Sequence, residues 1–221
     1  MPQHLQREIE NLKKRILNLS ARVEAIVHDA TLAIEKRDGK LAQKIIDNDI
    51  VIDQQEVEIE EECLKTLALH QPVAIDLRFI IAVLKINSDL ERIGDLAVNV
   101  AERAAFLATQ PKPDISFDFV GMARAAQSML TKSLDALVNL SIELAKEVCA
   151  SDDEVDAMNR EMYIKVQQAI QAHPEQMESL INMFSASRNL ERIADHATNI
   201  AEDVIYMIEG QIVRHRTADG K

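Results

Sequence analysis

Residues 90–102 read LERIGDLAVNVAE, and residues 190–202 read LERIADHATNIAE. Nine of the 13 positions are identical, without a gap and at a constant spacing of 100 residues. Within the first copy, Leu90, Ile93, Ala97 and Val100 recur at steps of three and four, the spacing of a helix with one side facing a core. A repeated helical segment of this quality predicts an internally duplicated chain.

The rest of the 221-residue chain also has the pattern of long helices. Gly and Pro number only five each, Trp is absent and aromatic residues make up 3%, so few turns are available and the core is built from aliphatic side chains. We predict an all-α fold of two tandem three-helix bundles, with six long antiparallel helices. The predicted helices span residues 5–36, 40–69, 73–108, 118–150, 151–172 and 175–209, with Ser151 as the N-cap of the fifth.

The predicted organisation follows from these spans. Residues 1–108 form the first bundle, residues 109–117 a proline-containing linker, and residues 118–213 the second bundle, followed by a frayed tail at 214–221.

Composition and charge exclude several functional classes. The net charge of −12 argues against binding to nucleic acid, which needs a basic surface. The N-terminus has no apolar signal segment, and no apolar stretch is long enough to cross a membrane. Cys63 and Cys149 are isolated within helical patterns, which predicts buried thiols of a reducing compartment. We therefore expect a soluble cytoplasmic protein.

The repeated segment carries paired carboxylates. Glu91 and Asp95 are four residues apart, so they lie one turn from each other on the same helix face. An acidic pair with the same spacing occurs on the second helix of each half, and neighbouring helices would bring the pairs to one seam. Four oxygen donors there predict a site for Mg, Mn, Ca or iron ions. The predicted ligands are Glu91, Asp95, Asp49, Asp53, Glu191, Asp195, Asp152 and Asp156. The predicted extension of this polar stripe comprises Asn99, Glu102, Asn199 and Glu202.

A single pair of this kind is usually just solvated, and only its repetition favours a binding site. The histidines offer less. His196 matches Leu96 in the other half, which predicts a helix-surface residue, and His70 and His173 stand at helix ends beside proline. No histidine follows a glutamate by three residues, as di-iron oxidase bundles require, and no nucleophile motif is present. The sequence does not indicate an enzyme.

The repeated Leu-Glu-Arg-Ile-(Gly/Ala)-Asp segments, together with QPVAIDLR at residues 71–78, resemble the PhoU family over essentially the whole chain. The resemblance assigns the family's acidic motif to Glu91/Asp95 and Glu191/Asp195, with the aspartate pairs of the second helices as partners. The second half departs from the pattern, because it lacks the Asp-Leu-Arg sequence and has Asn159 where the first half has Glu56. The second site is therefore expected to bind metal differently or more weakly.

The resemblance implies a negative regulator of phosphate uptake and the phosphate-starvation response. Such a protein would act between the ATPase subunit of the phosphate ABC transporter and a sensor histidine kinase, peripheral to the membrane through these partners. It would bind metal clusters, with iron or zinc as the expected metals, and form a homodimer. The residues alone leave a second hypothesis open, namely a metal-binding or metal-storage bundle without a signalling partner.

Overall fold

The computed structural model describes residues 3–48, 50–113 and 115–210, and this part of the chain is helical almost throughout. The first repeat contains α1 (Gln3–Lys36), α2 (Gly39–Ile46), α3 (Ile50–His70) and α4 (Ala74–Thr109). The second contains α5 (Phe119–Asn139), α6 (Ile142–Ala172) and α7 (Met177–Glu209), which follows a 3₁₀ turn at Pro174–Gln176. The predicted all-α fold of two three-helix bundles is confirmed. No described helix carries an apolar stretch of the length and low charge that a bilayer crossing demands.

The second predicted helix is divided into α2 and α3. The carboxylate of Asp38 accepts hydrogen bonds from the backbone N–H groups of Lys40 and Leu41 and so caps the start of α2. A turn at Asp47 and Asn48 ends α2 before α3 begins. After this turn, α3 packs along α4.

The boundary predicted at Ser151 is wrong. The break between the fourth and fifth helices of the prediction lies about ten residues earlier, at Leu140 and Ser141. Leu140 adopts a left-handed conformation with φ of 51°, and the Ser141 hydroxyl accepts the backbone N–H of Leu144. Ser151 lies inside α6, where its hydroxyl donates to the Glu147 carbonyl one turn back. The acidic residues that follow Ser151 therefore lie mid-helix rather than at a helix N-terminus.

The two repeats share one hydrophobic core. Contacts between repeats pair equivalent helices, because α4 packs on α7 and α1 packs on α5. Lys85 of α4 bonds Asp203 near the end of α7 at 3.1 Å, whereas Arg103 near the end of α4 bonds Asn182 near the start of α7 at 3.3 Å. The third helices of the two repeats therefore run antiparallel through the centre of the molecule.

The prediction that His196 lies on the helix surface is wrong. Its side chain is buried between α7 and α4, with Nδ1 2.8 Å from Oδ1 of Asp89, and only 9% of the His196 surface and 6% of the Asp89 surface are exposed. The first repeat has the buried apolar Leu96 where the second has His196, and the second has Asn189 where the first has Asp89. The histidine thus keeps the core-facing position of its equivalent and satisfies its polar nitrogen with a carboxylate from the opposite repeat.

Both cysteines are free thiols, as expected. Cys63 is fully buried in α3, and burial raises the pKa of its thiol to about 12. Cys149 of α6 is partly buried, and desolvation followed by the nearby Glu202 carboxylate raises the pKa of its thiol to about 11. Both sulfur atoms are therefore protonated and poorly nucleophilic at neutral pH.

Candidate metal centres

The first acidic cluster forms where α3 lies against α4. On α4, Leu90 and Ile93 are fully buried and fix the rotation of the helix, which leaves Glu91 half-buried and Asp95 exposed at the seam. Asp53 of α3 faces them. One carboxylate oxygen from each of Asp53, Glu91 and Asp95 lies within 4.8 Å of the other two. The structure therefore brings three of the predicted ligands together in the way that the spacing indicates.

A glycine allows the close approach of α3 to α4 at this cluster. A Cβ atom at Gly94 would lie 3.1 Å from Cδ1 and 3.2 Å from Cγ2 of Ile52, which is tighter than ordinary packing. The second repeat has Ala194 and Val155 at these positions, so a larger residue on one helix is matched by a smaller one on the other. The contact of Gly94 with Ile52 therefore brings α4 close to α3 at the residue next to Asp53, the ligand that α3 supplies.

Two further polar residues adjoin the first cluster. Asn87, one turn before Glu91 on α4, is fully buried, and its amide nitrogen donates to the backbone carbonyl of Glu56 at 2.9 Å and to Oε1 of Glu56 at 3.2 Å. The side-chain oxygen of Asn87 is buried and has no hydrogen-bond partner among the described residues. Neither residue was among the predicted ligands. The signal that could have found them is position, since Glu56 lies three residues after Asp53 and Asn87 four residues before Glu91.

The second acidic cluster forms in the same way between α6 and α7. Like Glu91 and Asp95 on α4, Glu191 is half-buried and Asp195 is exposed. Asp152 and Asp156 face them from α6. The hydroxyl of Thr198 donates to Oδ1 of Asp152 at 3.3 Å, a contact for which the first repeat has only Val98. Within the described ranges, the oxygen atoms of this cluster include no trio as compact as that of the first repeat.

Burial and mutual repulsion raise the pKa values of the carboxyl groups at the first cluster. Desolvation is the largest cause for Glu91 and Asp95, followed by the charge of Asp95 in the first case and of Asp53 in the second. The pKa of Glu56 is also raised, by burial and then by Glu60 and Asp53. Each group is thus harder to ionise, first because burial penalises its charged form and then because its neighbours carry the same charge.

The second cluster shows the same effect. Burial and then Asp195 raise the pKa of Glu191, and burial and then Asp152 raise the pKa of Asp195. The pKa of Asp152 is raised by burial and then by Asp156, against which the Thr198 hydrogen bond acts. The carboxylates of each repeat therefore form an electrostatically coupled group, as the sequence hypothesis requires.

The other predicted residues lie in different surroundings. Asp49 falls outside the described residues. The amide of Asn199 points to Asp89 at 3.5 Å, in the contact between α7 and α4. Glu102 is exposed and 3.4 Å from Arg103. Asn99 and Glu202 are half-buried, and Glu202 lies near the Cys149 thiol.

The donor atoms fit a hard cation. Carboxylate and amide oxygens are the preferred ligands of Mg²⁺, Mn²⁺, Ca²⁺ and iron. A positive ion among mutually repelling carboxylates relieves their repulsion, and among the described residues the oxygen of the adjoining Asn87 is buried without a hydrogen-bond partner. Fold and site together define a class of protein, a duplicated helical bundle with a carboxylate cluster on the third helix of each repeat.

Comparison with known proteins gives this class a family. The sequence model of the PhoU domain matches residues 16–104 and again residues 119–204. The chain belongs to the PhoU family. It is 37% identical over 212 residues to a phosphate-specific transport system accessory protein PhoU homolog of Aquifex aeolicus, with 95% of each chain covered.

Other relatives agree. The chain is 38% identical over 216 residues to a Pseudomonas aeruginosa homolog, with 96% of this chain and 88% of the relative covered. The crystal structure of PhoU from Pseudomonas aeruginosa is similar, with a TM-score of 0.89 at 36% identity, covering 93% of this chain and 99% of that one. The crystal structure of PhoU from Streptococcus pneumoniae, called a phosphate transport system regulatory protein, has a TM-score of 0.83 at 27% identity, covering 95% of this chain and 99% of that one.

Proposed function

We propose that the chain is an accessory protein of phosphate-specific transport and a negative regulator of the phosphate-starvation response. In this role it is a non-catalytic adaptor between the ATPase subunit of the phosphate ABC transporter and a sensor histidine kinase. The observation that carries the proposal is the similarity, over nearly the whole length of both chains, to several proteins named as accessory proteins of that transport system.

Metal binding is the second part of the proposal. In the first repeat Asp53, Glu91 and Asp95 would hold the cation, with Asp49 as a further ligand, and in the second repeat Glu191, Asp195, Asp152 and Asp156 would do so. The bound ion supplies positive charge that joins two helices of one repeat. Support comes from the 4.8 Å grouping of oxygens, from the raised pKa values and from the unpartnered oxygen of Asn87. Iron or zinc is the metal that the family resemblance favours.

Because the ligands lie on adjacent helices, metal binding would stiffen the surface on which a partner docks. A homodimer at the cytoplasmic face of the transporter, held there by its partners, is the arrangement we propose.

A genetic experiment tests the regulatory part. Deletion of the gene should derepress phosphate-starvation genes in phosphate-rich medium, and a tagged copy from phosphate-replete cells should co-purify with the transporter ATPase or the sensor kinase. Unchanged expression and no co-purified partner, together with bound metal, would instead favour the metal-storage hypothesis.

The metal part is tested on purified protein. Elemental analysis should find metal in the wild type and substantially less in Glu91→Gln/Asp95→Asn. The control variant Glu61→Gln removes an exposed carboxylate of α3 that lies two turns beyond Asp53, and it should keep the full metal load. Circular dichroism on each variant verifies that the helices are retained. A full metal load in the double variant would refute the ligand assignment.

A further inference from the structure

The two acidic clusters differ in the residues that surround them. Four positions around the first cluster are occupied by Glu56, Val57, Asn87 and Ser88, and the equivalent positions of the second by Asn159, Arg160, Ser187 and Arg188. Both repeats carry the predicted carboxylates in sequence, so a difference between the two sites comes from residues around them. At three of these four positions the charge differs, and each of those differences makes the first site more negative, whereas Asp153 and Glu154 of the second repeat stand where the first has Ile50 and Val51.

Arginines offset part of the negative charge of the second cluster. Arg160 lies 3.3 Å from Oδ2 of Asp156, and Arg188 stands three residues before Glu191 on α7, so the two side chains lie on the same side of the helix. The first cluster has an uncharged residue at both positions, Val57 and Ser88. A cation entering the second site must compete with fixed positive charges that the first site lacks.

The buried polar pair also differs between repeats. In the second repeat, the hydroxyl of Ser187 lies 3.1 Å from the side-chain oxygen of Asn159 and 2.9 Å from the backbone carbonyl of Phe184, so Asn159 has a donor within reach although the single proton of Ser187 has two acceptors. In the first repeat, Asn87 donates to Glu56, but its own side-chain oxygen is buried and has no hydrogen-bond partner in the part of the chain that the structure describes. An unpaired buried acceptor is destabilising, and a cation or its bound water beside Glu56 would satisfy it.

We propose that Glu56 and Asn87 are additional cation ligands of the first site only, so that the first repeat binds an oxygen-preferring divalent cation more tightly and fills before the second. Glu56 contributes a carboxylate oxygen and Asn87 its amide oxygen, directly or through a bound water. This inference rests on the metal binding proposed above and adds an order of loading to it.

The test is a titration of the metal-free full chain with Mn²⁺, followed by the electron paramagnetic resonance signal of free Mn²⁺. The second site is silenced with Glu191→Gln/Asp195→Asn, and the first in a separate protein with Glu91→Gln/Asp95→Asn. We expect the protein that retains the first site to bind Mn²⁺ at least tenfold more tightly than the protein that retains the second.

Reciprocal exchanges then test the two assigned residues. With the second site silenced, Glu56→Asn/Asn87→Ser should weaken the first site toward the affinity of the second. With the first site silenced, Asn159→Glu/Ser187→Asn should tighten the second. Glu56→Asn alone, which leaves the buried asparagine in place, guards against a loss that merely reflects misfolding, and it should weaken binding at least threefold.

The outcomes separate the two proposals. Equal affinities of the two sites, or exchanges that leave both affinities unchanged, would overturn this inference while metal binding stands. Failure of the wild type to bind Mn²⁺, Fe²⁺ or Zn²⁺ would refute the proposed metal function itself.

Discussion

Removal of one carboxylate from the first cluster should stabilise the metal-free protein. In Asp95→Asn the shape of the side chain is retained, but its repulsion by Asp53 and Glu91 is lost. These oxygens lie within 4.8 Å of one another, and at that limiting distance a pair of charges repels by about 0.9 kcal/mol in water and by about 3.5 kcal/mol at an effective dielectric constant of 20. Because Asp53 and Asp95 are exposed, the lower value is the better guide. Two lost pairs then amount to a gain of about 1–2 kcal/mol.

The assay is urea unfolding at pH 7 in low salt with EDTA, compared with the same measurement in Mn²⁺. In EDTA we expect Asp95→Asn to have the higher free energy of unfolding. With Mn²⁺ at about 100 times its dissociation constant, the wild type should gain about 2.7 kcal/mol and the variant much less, which reverses the order. Glu61→Gln should remain within about 0.5 kcal/mol of the wild type in both conditions. A variant that is no more stable than the wild type in EDTA would refute the reasoning.

The same repulsion has a defined pH dependence. Burial and neighbouring charges raise the folded-state pKa values of Glu91 and Asp95 above 4.5 and 3.8, their ordinary values. The folded protein then binds these protons more tightly than the unfolded chain, so the contribution to stability is fully present below the ordinary values and is lost as pH rises through the raised ones. Metal-free wild type should therefore lose stability as pH rises from about 4, and Asp95→Asn should lose less over the same range.

Substitutions at three further positions, two of them also combined with a second change, test packing and backbone geometry by urea unfolding. His196→Leu leaves the buried Asp89 without its close partner and should lower the free energy of unfolding by about 3 kcal/mol. Adding Asp89→Asn creates the combination found at the equivalent positions of the opposite repeat and should recover most of that loss. No recovery would show that the loss of the Asp89–His196 contact is not the cause. Gly94→Ala should be destabilised by about 1 kcal/mol through contact with Ile52, and adding Ile52→Val should make the protein more stable than the single variant. If the alanine acted only on its own helix, adding Ile52→Val would give no such gain. Leu140→Gly should gain about 0.5–1 kcal/mol because glycine adopts the left-handed conformation without strain, and a loss would show that packing of the leucine outweighs the strain.

Helix class and repeat number were predictable from the sequence because both depend on periodicity. The three- and four-residue spacing of Leu90, Ile93 and Ala97 marks the buried side of α4, and these residues are indeed fully buried. The same spacing places Glu91 and Asp95 on one exposed edge. Because α3 and α4 are consecutive in the chain, they are expected to pack side by side. Three members of the first cluster could therefore be predicted.

The boundary between α5 and α6 could not be predicted in the same way. Leu140 is left-handed although leucine does not favour that conformation, so the break has no glycine or proline to mark it. Ser151, followed by two aspartates, looks locally like a better helix start, but the apolar spacing from Val148 to Val155 continues through it, and both side chains are buried. Tertiary packing of Val148 and Val155 therefore outweighs the local capping signal.

The position of His196 depends on a partner in the other repeat. A histidine at a core-facing position can be buried only if its nitrogen finds a partner, and that partner, Asp89, is 107 residues away in sequence. The same holds for Asn87 and Glu56, whose contact becomes visible only when α3 is placed against α4. Pairwise contacts across helices, unlike periodicity, cannot be obtained from one sequence.

The pairing of α4 with α7 and of α1 with α5 has the form of a twofold-symmetric subunit contact. A homodimer of a one-repeat chain could bury the same surfaces, but every residue of its interface would occur twice, once on each side of the axis. Fusion into one chain removes that constraint. Asp89 and His196 can then complement each other while their counterparts, Asn189 and Leu96, take different residues. Because both copies are joined in one chain, equivalent positions of the two repeats can carry different side chains and make different contacts.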